Sequence, residues 1–470
     1  MTYPAFPTRP HAATPSRTLS QLLSDRRPAL SAPHDIDHDG LRRSPFEIDG
    51  DKISFTEGFR ALADKTQVHD RVRHGGHHRN RLTHSVEVSR VGRSLGTAVG
   101  ARMIAYHGLY AGTSPEVFWD VDPREIGHLV AAAAMSHDIG NPPFGHDGES
   151  VISEFFQTDP DGIALASLTH DTIAAELRQH EGNAQGFRML TRSMGWRQAG
   201  GINLTSATLA AFGKYPFALT PGIRKYGIHR ADLATMERVA TDCALQADPE
   251  TGGWRRHPAA WLLEAADDIS YLTVDFEDSA FLGIVPVDDL VDLFAPIVGP
   301  TAISDAARLA PAERIQFLRS RMIKELIASV THVYPDLAAA MDQGTLGSTL
   351  HGGGVLAHTP HAAALARIRT YSRDRIYRSD ETRAARDGFR LSFGRVLKRL
   401  AAELRDQLSC GDITAPDPAR HAFLARLPFM SLDRQVPADP DAAVPWLLDR
   451  ITLMSDAHVM ALDRDITDEA

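Results

Sequence analysis

The chain is predicted to be all-α, on three grounds. From roughly Phe55 onward, apolar residues recur at the spacing of one helix face. Alternating β-branched runs bounded by Asn-Gly turns, the mark of hairpins, are scarce. Helix punctuation is frequent, with prolines and glycines standing where periodic stretches begin or stop. The expected architecture is one large helical domain at 46–360 with an additional C-terminal helical region at 361–470.

Residues 1–45 are rich in Pro, His, Arg and Ser and read as a flexible lead. Leu82, Val86, Val91, Leu95 and Val99 mark the buried face of the first long helix. A second helix is expected from about Arg124 to His137, with Ile126, Leu129, Val130 and Ala133 inward, stopped by Gly140 and the prolines after it. Thr169–His180 and Gln185–Ser193 read as further helices. Pro258, a good first-turn residue, opens a long helix carrying AAWLLEAADDISYLTVDFEDSAF. Later helices are expected at Pro311–Val333, His361–Tyr371 and Glu381–Leu408. The Gly-rich stretch 343–360 reads as a mobile loop or linker, and no repeat of fixed period is present.

Composition narrows the function. With 43% hydrophobic and 23% charged residues, the chain fits an ordinary soluble globular protein. Cys243 and Cys410, the two cysteines, lie far apart, which argues against a disulfide framework or a thiolate zinc site and suits a reducing cytoplasm. The net charge of −10 makes a generic nucleic-acid binder unfavourable, so any phosphate-binding surface must be local. No apolar run is long enough to span a membrane, and the N-terminus lacks the apolar region of a secretory signal. A cytoplasmic location is the expectation.

The stretch SHDIGNPPFGHDGES carries the strongest chemical signal. His137 and Asp138 are neighbours, and adjacent helix positions diverge by about 100°, so they cannot share a face. At a helix end, however, both can converge on an ion lying off the tip. His84 on the first long helix and Asp267 in EAADDISY can join them. Two imidazoles and two carboxylates form a mixed nitrogen and oxygen site suited to Mn2+ or Mg2+, or to Fe2+, Co2+ or Ni2+. His146 and Glu149 stand one turn apart, a spacing that lets the carboxylate orient the imidazole for acid–base work. Arg79, Arg81, Lys214 and Lys225 are candidate phosphate contacts. Asp267, Tyr271 and Asp275 recur every fourth residue and drift only about 40° per step, so they form one wall. Ordinary readings stand beside these: a hydrogen-bonded surface histidine, a solvated acidic face, a helix N-terminal salt bridge. The chain has no GxxxxGK[ST] string, so it is not a P-loop NTPase.

KTQV (65–68), RNRLTHSVEV (79–88), SHDIGNPPFGHDGE (136–149), GINLTSATLAAFGKYP (201–216), EAADDISYLTVDFED (264–278) and RDRIYRS (373–379) carry a wider likeness. On these strings the chain resembles the HD-superfamily deoxynucleoside triphosphate triphosphohydrolases, in particular the bacterial dGTPase-like branch. The resemblance implies an HD-type helical fold over 46–360, with 361–470 completing the substrate pocket and oligomer contacts. It implies His84, His137, Asp138 and Asp267 as ligands of a divalent metal, with His146 and Glu149 as a catalytic dyad at the α-phosphorus. Arg81, Lys214 and Lys225 would contact phosphates, Tyr271 and Asp275 would border the sugar, and Gln67 would bond the 3′-hydroxyl. The implied reaction converts a dNTP, dGTP favoured, and water to a deoxynucleoside and tripolyphosphate. A homo-oligomer, hexameric by resemblance, and an allosteric dNTP or single-stranded DNA are implied as partners. Two other readings remain open from the residues. One is another HD phosphohydrolase, a nucleoside monophosphatase or cyclic-dinucleotide phosphodiesterase. The other is a nucleotide-sensing or single-stranded-DNA-binding regulator.

Overall fold

The computed structural model describes residues 19–28, 43–67, 79–110, 122–193, 201–343, 354–377, 380–409, 420–428 and 435–469. Most of the Gly-rich stretch, Cys410 and the greater part of the N-terminal lead lie outside them. The fold is all-α, as its sequence pattern predicts. Strand structure among the described residues is limited to Ala247–Asp248 paired antiparallel with Gly253–Trp254. No helix among the described residues is long and apolar enough to cross a membrane.

One local device recurs: a polar capping residue followed by proline. Ser44–Pro45, Asp122–Pro123, Asp159–Pro160, His257–Pro258 and Asp439–Pro440 each open a helix. In each pair the first side chain accepts a backbone N–H that the helix leaves open, and proline supplies a preset φ where its missing N–H costs nothing. Helix Ser206–Phe212 is finished differently. Part of the lead docks there, and the carbonyls of Arg26 and Ser24 accept from the amides of Ser206 and Ala207 at 2.6 and 3.2 Å. Arg27 fastens the same segment to buried Asp49 at 2.8 Å.

The first of two large cores surrounds helices Arg81–Tyr110, Pro123–Ser136, Pro258–Phe281 and Pro311–Gln343. The first two lie unusually close. A Cβ built on Gly96 would stand 2.7 Å from the Ile126 carbonyl oxygen, and one on Gly127 would stand 2.2 Å from Thr97 Oγ1. Helix Pro311–Gln343 outruns its expected end at Val333 and passes through Pro335. Tyr334, Leu337 and Met341 continue its buried face, so packing carries the helix past the lost backbone hydrogen bond. Leu365, Ile368 and Ile376 join the same core.

A second core assembles elsewhere. It combines Val151, Ile152, Phe155 and Phe156 of helix His146–Thr158 with helices Asp380–Ser409, Pro440–Leu453 and Asp456–Glu469. The two cores meet between adjacent residues, since Leu453 belongs to the first and Met454 to the second.

Candidate active site

His84 lies one turn into helix Arg81–Tyr110, His137 caps the end of Pro123–Ser136, and Asp267 sits midway along Pro258–Phe281. The crossing of these three helices brings one donor atom of each within 4.8 Å of the other two. His84 Nε2 is 3.0 Å from Asp267 Oδ1, and His137 Nε2 is 3.8 Å from the same oxygen. His137 Nδ1 donates to the Ala134 carbonyl at 2.7 Å, which leaves the Nε2 lone pair facing the cluster. Burial works against a charged His84, but the hydrogen bond and charge of Asp267, with Asp138 and Asp275 behind it, leave its pKa raised. Burial likewise opposes the Asp267 carboxylate, and the two imidazoles and Lys214 overcome it, holding its pKa well below the usual range.

Asp138 stands beside this trio. Its Oδ1 is 3.7 Å from His137 Nε2 and accepts from Arg81 Nη1 at 3.0 Å, while its Oδ2 is buried without a protein partner. A buried carboxylate oxygen with no donor is costly, and a divalent cation among the four donors would satisfy it. The residues present therefore fit a metal of the hard or borderline class.

The second constellation rests on an unusual turn. Phe144 and Gly145 both adopt positive φ, 63° and 57°, and deliver the chain into helix His146–Thr158. Glycine is favoured at 145 by its positive φ, and a Cβ there would also lie 2.0 Å from Arg81 Nη2. His146, with its side chain 79% exposed, meets Glu149 Oε2 through Nδ1 at 2.9 Å. Glu149 Oε1 accepts from the Gly182 amide at 2.8 Å. The Glu149 bond and charge outweigh desolvation and raise the His146 pKa. In return, His146, Lys225 and His180 pull the Glu149 pKa down against burial. Arg81 joins the constellations, with one amino group on Asp138 and the other against Gly145, next to His146.

The other expected residues surround these. Lys225 Nζ lies 2.7 Å from Glu181 Oε2 and 4.0 Å from Glu149 Oε2, and Lys214 Nζ lies 2.9 Å from Glu264 Oε1. Gln67 follows the short bridge between Thr66 and Asn80, and its Oε1 is buried with no partner. Tyr271 and Asp275 share the Asp267 helix. Burial pushes Asp275 up to about 6 despite the hydrogen bond it accepts from the Tyr377 hydroxyl. Arg79, by contrast, is turned away from the ligand cluster. Its guanidinium is engaged by Glu87, Glu277 and Asp278, so it anchors the start of its helix instead of reaching for a phosphate.

No family model matches the chain. A deoxyguanosinetriphosphate triphosphohydrolase-like protein of Synechocystis sp. is 37% identical over 341 residues, 69% of this chain and 74% of that protein. A like-named protein of Pseudomonas aeruginosa is 35% identical over 351 residues, covering 72% and 75% of the two chains. The deoxyguanosinetriphosphate triphosphohydrolase of Salmonella paratyphi A is 29% identical over 354 residues, 65% and 67% of the two. This chain belongs to the deoxyguanosinetriphosphate triphosphohydrolase-like family.

Three further residues enter the site of this family member. Arg369 donates to Tyr271 Oη at 3.2 Å and Asp268 Oδ2 at 2.7 Å, and Tyr377 covers Asp275, so the acidic helix is walled by residues about a hundred positions later. The string RDRIYRS was a signal for Tyr377; Arg369 lay in an otherwise ordinary helix. His180 is the third. It is buried, neither ring nitrogen has a protein partner, and burial drives its pKa down to about 4 despite nearby Glu149. The pair His180–Glu181, one partner facing Glu149 and the other holding Lys225, was legible only as a helix end.

Proposed function

We propose that this chain is a divalent-metal-dependent dNTP triphosphohydrolase, dGTP favoured, which releases deoxynucleoside and intact tripolyphosphate. The supporting observation is the juxtaposition, through Arg81, of the ligand cluster and the separate His146–Glu149 pair. A phosphatase needing only metal-activated water would have no use for that second pair. Bound to His84, His137, Asp138 and Asp267, a divalent cation (Mn2+ or Mg2+ foremost) would supply Lewis-acid polarisation of a phosphate oxygen.

The protein groups do the rest. Arg81, Lys214 and Lys225 exchange their present carboxylate partners for triphosphate oxygens. A water oxygen bonds to the α-phosphorus as the bond from phosphorus to the sugar 5′-oxygen breaks; the water releases a proton to solvent, and the departing 5′-oxygen takes one up. His146 is suited to donate it from Nε2, because Glu149 fixes Nδ1 and raises the imidazole pKa. Gln67 Oε1, now without a partner, accepts from the 3′-hydroxyl. Tyr271 packs under the ribose, where a 2′-hydroxyl would collide, and Asp275 lines the same edge.

The test is a panel of dNTPs, NTPs, dNMPs and cyclic dinucleotides with each metal and product identification. Tripolyphosphate from dGTP is expected; orthophosphate or pyrophosphate alone would reject the reading. His146→Ala should abolish turnover and leave metal affinity unchanged, as read by isothermal titration with Mn2+. A hexamer is the proposed assembly, checked by sedimentation. Adding a second dNTP or single-stranded DNA to the panel checks the proposed allosteric partners.

A further inference from the structure

The Thr452–Asp456 connection, where the two cores meet, touches both halves of the site from behind. Asp456 opens the last helix and is 9% exposed. Its Oδ2 accepts from the Thr66 amide at 2.8 Å, and its Oδ1 accepts from the Phe144 amide at 2.9 Å. Thr66 immediately precedes Gln67. Phe144 begins the positive-φ turn that delivers His146. A non-glycine residue in that region is held only where its surroundings over-determine it. Fully buried Lys65 adds a second tie, donating from Nζ to the Asn141 carbonyl at 2.7 Å and to the Thr452 carbonyl at the end of helix Pro440–Leu453.

We propose that Asp456 is a positioning residue whose carboxylate sets the spacing between the Gln67 segment and the His146 turn. The proposal rests on the functional reading above for what Gln67 and His146 do. A carboxylate is required because both partners are N–H donors and each oxygen serves one of them. Asparagine keeps a single acceptor and turns an N–H2 group toward the other amide. The two sides of the sugar are thus gauged by one side chain, with Gln67 at the 3′-hydroxyl and His146 at the 5′-oxygen. A shift of about 1 Å between such groups is enough to cost orders of magnitude in rate.

The experiment compares Asp456→Ala and Asp456→Asn with Asp463→Asn. Asp463 lies on the same helix, bonded to Arg395 at 2.6 Å away from the site, and controls for loss of helix stability. Amide hydrogen exchange is followed in peptides spanning Thr66 and Phe144, alongside kcat/KM for a dNTP and its 2′,3′-dideoxy analogue. In Asp456→Ala both amides should lose protection, and kcat/KM should fall about tenfold or more with the preference for a 3′-hydroxyl reduced. Asp456→Asn should expose one amide of the two, and Asp463→Asn neither. Unchanged protection in Asp456→Ala, or an equal loss of turnover in Asp463→Asn, would overturn the proposal. A wild-type protein inactive on every dNTP would end the functional reading instead, and exchange alone would then decide the clamp.

Discussion

At the scale of single residues, two positions make predictions of opposite kinds. Gly145 is confined by backbone and neighbour together. Gly145→Ala should cost about 1–3 kcal/mol for the positive-φ backbone alone, and it displaces the Arg81 amino group that its methyl would meet at 2.0 Å. Urea melts and turnover should both register the change, and wild-type behaviour in the two would show that Arg81 is not held there. Lys65 carries a pH signature. Burial, with Arg81 nearby, lowers its pKa to about 7 from 10.5, and Asp456 and Asp138 only partly restore it. Between those two values the unfolded chain binds more protons than the folded one, so this lysine makes stability rise with pH across the window. Below about 7 both forms hold the proton and the slope vanishes. Lys65→Met should flatten the curve of urea midpoints over roughly pH 7 to 10; an unaltered slope would count against it. The residues that meet at the ligand cluster were readable as candidates, since a His-Asp pair before Gly-Asn-Pro-Pro marks a helix tip. Arg369 was not, because nothing local in its helix marks an approach to Asp268 across 101 positions.

At the scale of elements, the distance between His84 and His137 is set by the crossing of their two helices. Glycines at 92, 96 and 100 stand every fourth residue along one face, and Gly127 opposes them. That spacing was present in the sequence, but the apolar periodicity beside it indicated only a buried face. A methyl at position 96 would meet backbone, which cannot swing aside as a side chain can. Gly96→Ala should therefore lose about 1–3 kcal/mol through overpacking, and Mn2+ affinity should weaken as the helices part. Calorimetric melting and metal titration read the two effects; lowered stability with undisturbed affinity would uncouple the crossing from the ligands. Helix existence was legible where caps, prolines and periodicity agree, as at Pro123–Ser136 and Pro258–Phe281, but Val287–Ala306, with two internal prolines, and the two helices Pro440–Leu453 and Asp456–Glu469 were not singled out. Helix Pro311–Gln343 ran on past its predicted end because tertiary burial of Tyr334, Leu337 and Met341 outweighs a local proline signal.

At the scale of the whole molecule, a cation should act as a folding ligand. At a hundredfold excess over its dissociation constant it adds about 2.7 kcal/mol, so the melting temperature should climb with Mn2+ in the wild type and much less in His137→Ala. An equal rise in both would place the ion elsewhere. The all-α class was plain from the sequence; the division of helices between two cores was not, since helix His146–Thr158 joins partners more than two hundred positions further on. That division has an operational meaning. The imidazole proposed to handle the proton stands on one hydrophobic body, and the groups proposed to capture the ion stand on another. Mild loosening of the late-chain body would blunt the chemistry while the ion remained held. A preparation stored too warm would then behave as a sluggish catalyst with an undiminished appetite for its ion, and a metal-loading assay would pass it as sound.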